Sequence, residues 1–505
     1  NPALGCARDW ERYLISIPYH DDSRHHASER MTSNKEGQKM NATTQFQNAQ
    51  PFPGPKGYPL VGVIPKIKGN FINFMTQMWL EYGDCLRLDM GKVEMYCVVH
   101  PDDVKHVLQM NNRNYAKGHK NQVKVLFGNG LFSSEGEFWR QQRRLIQPLF
   151  NRRTLGSYVP AIIASTAEML ARWEARPEPT QALDIADEMR RVTQRVITRT
   201  MFSKDMSEQT DMMCEAFTEA LDRVNGNMRR PDFMNKWPIP SNRRFEKAIN
   251  TIDETVYKLI AERRASDASD ASDNAEEQDL LSLLLNVRDE ESGAGMSDQQ
   301  IRDELTTIFL AGHETTATGL TWTWYLLSRH PVVGEKVLAE VEHVLAGRMP
   351  RGEDLAKLTY TRQVFEESLR LYPPVWRFVR LAEEDDVLPS GYRIPKGSMV
   401  MLSPYLTHRH PDFWRNSEGF QPSRFTQDAS KIRHRYAYLP FGGGPRLCIG
   451  NNFSLMEGPL MMAMILQQYK LVLMPGSNVQ MKPSVMRPLN GMPMLVTPRR
   501  EAPMP

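Results

Sequence analysis

Cysteine is scarce in this chain. Five thiols, at positions 6, 85, 97, 214 and 448, are spread over 505 residues with no paired spacing. That excludes a disulfide-stapled scaffold and leaves no cysteine set for an iron–sulfur cluster, and it fits a reducing compartment. Histidine is too dispersed to suggest zinc. Charge of one sign is also lacking: the net charge is only +3, and no basic tract with interleaved aromatics offers a footprint for nucleic acid. No apolar run approaches the ~20 residues of a membrane span, and no signal-peptide core is present. A cytoplasmic monomer without a membrane anchor is the expectation. The length exceeds the size at which single cores usually divide, yet no flexible linker separates two folded halves. Residues 51–505 are therefore read as one domain. Residues 1–50, polar and irregular and beginning with Asn1 rather than Met, are read as a disordered extension or upstream sequence. The acidic low-complexity tract 266–273 reads as a solvated loop between helices.

Against this background one thiol has an unusual setting, Phe441-Gly442-Gly443-Gly444-Pro445-Arg446-Leu447-Cys448-Ile449-Gly450. Glycines 442–444 accept positive φ, and Gly450 puts no side chain in the way of a close ligand. Arg446 brings a fixed positive charge two residues before Cys448, and the surrounding N–H groups can stabilise a thiolate. A flat ligand held by one sulfur and steered by an arginine fits this design; haem, with an axial thiolate and two propionates, is such a ligand. An isolated cysteine after a glycine-rich turn is more often a buried structural residue. What decides between the two readings is whether independent motifs lie upstream.

Upstream, Ala311-Gly312-His313-Glu314-Thr315-Thr316 lies in a long helical pattern. Ser297 is the expected N-cap, Pro331 bounds the far end, and Ile301, Leu305, Ile308 and Phe309 recur at helical spacing. About 32 residues at ~1.5 Å give a helix of roughly 48 Å. Gly312 inside it costs about 1 kcal/mol relative to alanine, for which room for a diatomic ligand is the expected return. Glu314 beside Thr315 is an acid–alcohol pair suited to moving protons. The bland alternative is that the threonines bond back to helix carbonyls. Glu367-Ser368-Leu369-Arg370 places an acid and a base on one helix face, just before Pro373-Pro374 ends the helix. Trp139 and Arg143, four apart, share a face of another helix.

Together these motifs resemble the cytochrome P450 superfamily, over residues 51 to about 500. Phe441, Gly444, Arg446, Cys448 and Gly450 fill its haem-binding signature. The sequence is similar to bacterial P450s of eukaryote-like sequence, including fatty-acid hydroxylases. The resemblance implies a mainly α fold with a small β-rich part and a long central helix over haem b (iron protoporphyrin IX). It implies Cys448 as the axial ligand of the iron. The cofactor site would include Phe441, Gly442, Gly450, Ala311 and Gly312, with propionate contacts from Trp139, Arg143, Arg380 and Arg446. Glu367, Arg370 and Arg424 would form a buried ionic triad, and His408 is read as structural. Glu314 and Thr315 would supply protons while O2 is activated and one oxygen atom enters a hydrophobic substrate, by hydroxylation or epoxidation. With no flavin or iron–sulfur module, electrons would come from a ferredoxin or flavodoxin and its NAD(P)H reductase.

The substrate wall is expected from Val123, Leu126, Phe127, Phe309, Ala311, Thr316, Val375 and Val379, with Trp376 nearby. Its apolar character points to a fatty acid, a terpenoid or a polyketide. Lys92 and Tyr96 resemble a carboxylate anchor of fatty-acid hydroxylases, although Lys is the poorer bidentate partner and an exposed strand-edge Lys is the commoner occurrence. Two other classes compete. A peroxide-driven peroxygenase typically lacks the acid–alcohol pair, which is intact here. A non-catalytic haem sensor or binding protein would not need it.

Overall fold

The computed structural model describes residues 46–499, except 68–69, 92, 118–120, 177–180, 204–211, 214, 221–222, 224–236, 238, 270–278, 290–292 and 482–485. Lys92, Cys6, Cys214 and most of the first fifty residues therefore lie outside the described residues. The helices that matter for function are α1 (Phe71–Tyr82), α2 (Asn121–Phe127), α3 (Gly136–Ile146), α4 (Val159–Glu174), α5 (Ile185–Phe202), α6 (Pro240–Ser269), α7 (Asp298–Arg329), α8 (Thr359–Leu371) and α9 (Asn451–Gln468). Helix predominates, with small sheets, as the sequence implied.

The chain divides into two compact units that exchange segments. The first holds the described residues of Asn1–Gly118, with Leu355–Thr359 and Glu366–Cys448. Its sheet has the order β1-β2-β8-β5-β3, where β1 is Cys85–Asp89, β2 Glu94–Val98, β3 Tyr115–Ala116, β5 Phe378–Ala382 and β8 Met399–Leu402. Only β2 and β8 pair in parallel, Tyr96 opposite Val400. Tyr96, Val98, Val400 and Leu402 feed a core with Val104, Leu108 and Leu439. Strands β6 (Asp386–Val387) and β7 (Arg393–Ile394) form a separate ribbon. Gln50 already bonds to this unit: its N–H donates to the Gly391 carbonyl and its carbonyl accepts from Arg393.

The second unit holds His119–Asp354, Tyr360–Phe365 and Ile449–Pro505, within the described residues. Its core is helical, with α7 at the centre. Ser297 and Gln300 close a reciprocal capping box at the start of α7, which satisfies two otherwise orphaned N–H groups. Thr193 of α5 donates to the His313 carbonyl at 3.0 Å, and Ile197 of α5 packs on Gly312. A small sheet of β4 (Leu183–Asp184), β10 (Pro493–Pro498) and β9 (Tyr469–Leu473) closes this unit. Helix α6 runs to Ser269, so residues 266–269 of the acidic tract continue a helix rather than open a loop. The remaining residues of that tract lie outside the described residues. Among the described residues no helix is long and apolar enough to cross a membrane.

Candidate active site

In the first unit the Cys448 loop is built from its backbone. The Cys448 N–H donates to the Phe441 carbonyl at 3.0 Å, and the Leu447 N–H to Gly444 at 3.1 Å. Gly442 and Gly444 have φ of +74° and +66°. At Gly444 a Cβ would sit 1.9 Å from the Leu108 carbonyl oxygen, so only glycine permits this path. Cys448 ends exposed.

The loop is tied to a buried scaffold. His408 accepts from the Leu439 N–H through Nε2 at 2.8 Å, and its Nδ1 meets the Arg370 carbonyl at 3.1 Å. This pattern fits a neutral ring with the proton on Nδ1, and burial pushes the His408 pKa well below its ordinary value. His408 is structural, as the sequence suggested. Arg370 spends all five N–H donors: two on the Glu367 carboxylate, at 2.7 and 2.8 Å, and the rest on the carbonyls of His408, Ser417 and Gly419. Arg424 reaches Glu367 Oε1 at 3.4 Å, and the Gln421 N–H donates to the same oxygen. Glu367, Arg370 and Arg424 are thus brought together. Arg380, on β5, lies over the Phe378 ring, and its Nη1 donates to the Val379 carbonyl.

In the second unit α7 carries the acid–alcohol pair. Residues 301–310 are all buried, and 316–324 are buried again. Between them Ala311 is exposed and Gly312, Glu314 and Thr315 are half-buried, with only His313 of this stretch turned inward. An accessible strip of small and polar residues amid a buried helix suits a flat ligand lying against it. Thr315 donates its hydroxyl to the Ala311 carbonyl at 2.8 Å, the back-bond weighed from sequence, which leaves its oxygen lone pairs for a second partner. Arg487, missed in the sequence, makes a 2.9 Å ion pair with Glu314. Trp139 and Arg143 both lie half-buried on α3, with Arg143 Nε on Gln147 at 3.2 Å.

The structure places the other residues expected at the site as follows. Phe309 is only 1% exposed and stacks on Phe217 at 5.0 Å. Two residues along a helix turn the side chain by roughly 200°, so Phe309 and Ala311 do not share one face. Leu126 and Phe127 belong to the same helical core as Phe309. Thr316 is buried, its hydroxyl on Ser454 of α9 at 3.3 Å. A Cβ on Gly312 would meet Ile197 at 2.8 Å; close approach of α5, rather than ligand room alone, accounts for this glycine. Val123 has no described side chain. Val375 remains exposed and Val379 half-buried, both in the first unit. Tyr96 is buried, and its hydroxyl donates to Glu94 at 2.8 Å.

Glu457 of α9 was also missed. It is completely buried, neither oxygen finds a hydrogen-bond partner among the described residues, and burial raises its pKa well above the carboxylate range despite the Thr316 hydroxyl beside it. One acid in the run Phe453–Leu466 reads in sequence as an ordinary helix residue; its position among buried methionines is what sets it apart.

The family model for cytochrome P450 matches residues 52–499. The chain belongs to the cytochrome P450 family. It is 35% identical to cyclooctatin synthase of Streptomyces melanosporofaciens, over 88% of this chain and 95% of that one. It is 32% identical to pentalenene oxygenase of Streptomyces avermitilis, over 84% and 92%. The haem domain of cytochrome P450DA superposes with a TM-score of 0.81 at 28% identity, covering 90% of this chain and 98% of that domain. The protein is a haem-dependent monooxygenase that inserts one oxygen atom of O2 into a hydrophobic substrate. Within the first unit, the exposed thiol of Cys448 in its cradle of backbone fits the haem this family carries. When bound, haem supplies the oxygen activation.

Proposed function

We propose that this P450 hydroxylates a terpenoid, with epoxidation where an alkene is presented. The reading is carried by two relatives whose names assign them terpenoid work, cyclooctatin synthase and pentalenene oxygenase. Cys448 is the proposed axial ligand, and Trp139, Arg143, Arg380 and Arg446 the proposed propionate partners. Glu314 carries a proton toward the reacting oxygen, and Thr315 orders the water between them. Arg487 sets where the Glu314 carboxylate rests. Electrons come from a separate ferredoxin or flavodoxin with its reductase, and the cytoplasm is the proposed compartment.

The test is the reduced, carbon-monoxide difference spectrum, followed by titration of the oxidised protein with terpenes, fatty acids and macrolides. A band near ~450 nm reports the thiolate ligand. A low-to-high-spin shift with terpenes supports the substrate class. A persistent band near ~420 nm in folded protein would overturn the thiolate assignment, and a shift with fatty acids alone would replace the substrate class.

A further inference from the structure

Arg377 differs from Arg370, Arg409 and Arg424 of the same unit. Arg370 has five acceptors, Arg424 has Glu367, and Arg409 has Glu418 at 2.8 Å. Arg377 has neither a carboxylate nor any hydrogen-bond acceptor among the described residues. Its guanidinium lies over the ring of Trp376, at 5.1 Å, and that of Phe71 from α1, at 5.7 Å. The two rings meet edge to face at 5.8 Å. Nε is sealed from solvent without a partner, whereas the two terminal nitrogens are not sealed. Burial alone lowers its pKa, with no acidic neighbour opposing the shift.

A guanidinium stays charged in proteins, so desolvating one without an anion is costly. Aromatic contacts take up its faces and contribute roughly 0.5–2 kcal/mol, but they leave the donor edge unused. That edge is the one that takes a carboxylate in two parallel hydrogen bonds. Val375, 44% exposed, and half-buried Val379 flank Arg377 in sequence, which supplies apolar surface beside the charge. The other anchor suggested by sequence is weaker, because Tyr96 spends its hydroxyl on Glu94, and the Glu94 carboxylate there repels an anion.

We propose that Arg377 is an anion subsite that takes the carboxylate of an amphipathic carboxylic-acid substrate, whose apolar body is the part oxidised. The proposal rests on the monooxygenase reading and narrows its substrate class to hydrophobic acids, such as a terpenoid already carrying a carboxyl group. A preceding oxidation to the acid would then have to supply this substrate.

The experiment titrates the oxidised holoenzyme with matched pairs, a diterpenoid carboxylic acid and dodecanoic acid, each against its methyl ester, and follows the spin state. The acids are expected to bind at least tenfold more tightly than the esters. Arg377→Met should abolish that preference and leave ester affinity, haem content and the carbon-monoxide band unchanged. Arg377→Lys should restore part of it. Equal binding of acid and ester to the unaltered enzyme overturns the proposal without any variant being needed. So does an Arg377→Met enzyme that weakens both ligands alike, or one that loses haem, which would make Arg377 a cofactor contact. A missing ~450 nm band would instead sink the monooxygenase reading, so the two failures are distinguishable.

Discussion

Arg487 holds the carboxylate of Glu314 in a 2.9 Å ion pair, with the acid 14% exposed and the arginine 31%. The Thr318 hydroxyl also donates to the Glu314 carbonyl at 2.8 Å, so both the side chain and the backbone of this acid are fixed. A proton carrier works only where it can reach its acceptor. Glu314→Gln is expected to lower product formation about a hundredfold with the carbon-monoxide spectrum unchanged. Arg487→Met should lower it by less, because the acid survives but is no longer oriented, and Arg487→Lys should keep most of the activity. Product formed per NAD(P)H consumed, in a reconstituted system, measures this. Full activity of Glu314→Gln would remove the acid from the mechanism.

The Cys448 loop hangs on Gly444. Its φ of +66° and the Leu108 carbonyl oxygen 1.9 Å from any added Cβ leave no place for a side chain. Gly444→Ala is expected to displace the loop and to move the carbon-monoxide band away from ~450 nm or empty the protein of haem. Gly442 also has positive φ but open space around it, so Gly442→Ala should cost about 1–2 kcal/mol of backbone strain and keep the band. Indistinguishable spectra for the two variants would break this argument.

The ionic triad is a stability element rather than a chemical one. Arg370→Met strands the Glu367 carboxylate, whose side chain is fully buried, and should cost about 3–5 kcal/mol. The His408 carbonyl also loses its donor, because Arg370 Nη1 bonds to it at 2.9 Å. Thermal unfolding and soluble yield are the measurements. A variant with an unchanged midpoint would mean that the cluster is not holding the scaffold.

What the sequence could reveal depended on how local the determinant was. Helix α7 was legible to within a residue because its Ser297–Gln300 cap and the following Pro331 are adjacent to it in the chain. The Cys448 loop and the Glu367–Arg370 pair were legible for the same reason: their chemistry is written at fixed short spacing. Arg424 entered the triad by resemblance, not by spacing. Arg487, Arg377 and Glu457 escaped notice because each is defined by a neighbour distant in the chain, Glu314, Phe71 and Thr316 respectively. The substrate wall was the least legible part. Apolar residues such as Leu126 and Phe309 satisfy a pocket pattern and a core pattern equally, and only packing assigned them to the core.

Glu457 offers a pH-dependent test. Its folded carboxyl is held well above the usual range by burial, whereas the unfolded chain ionises it near ~4.3. Below that value both states are protonated and the group has no effect through linkage. As pH rises above it, the unfolded state loses the proton while the folded state keeps it, so folding stability falls with pH until the folded group ionises too. Glu457→Gln removes that titration at nearly constant shape. Relative to the unaltered protein, the variant should therefore gain thermal stability progressively from pH 5 to pH 8, with little change in the gap near ~pH 4. Unfolding midpoints across that range check it, and a stability gap independent of pH would show that Glu457 does not stay protonated inside α9.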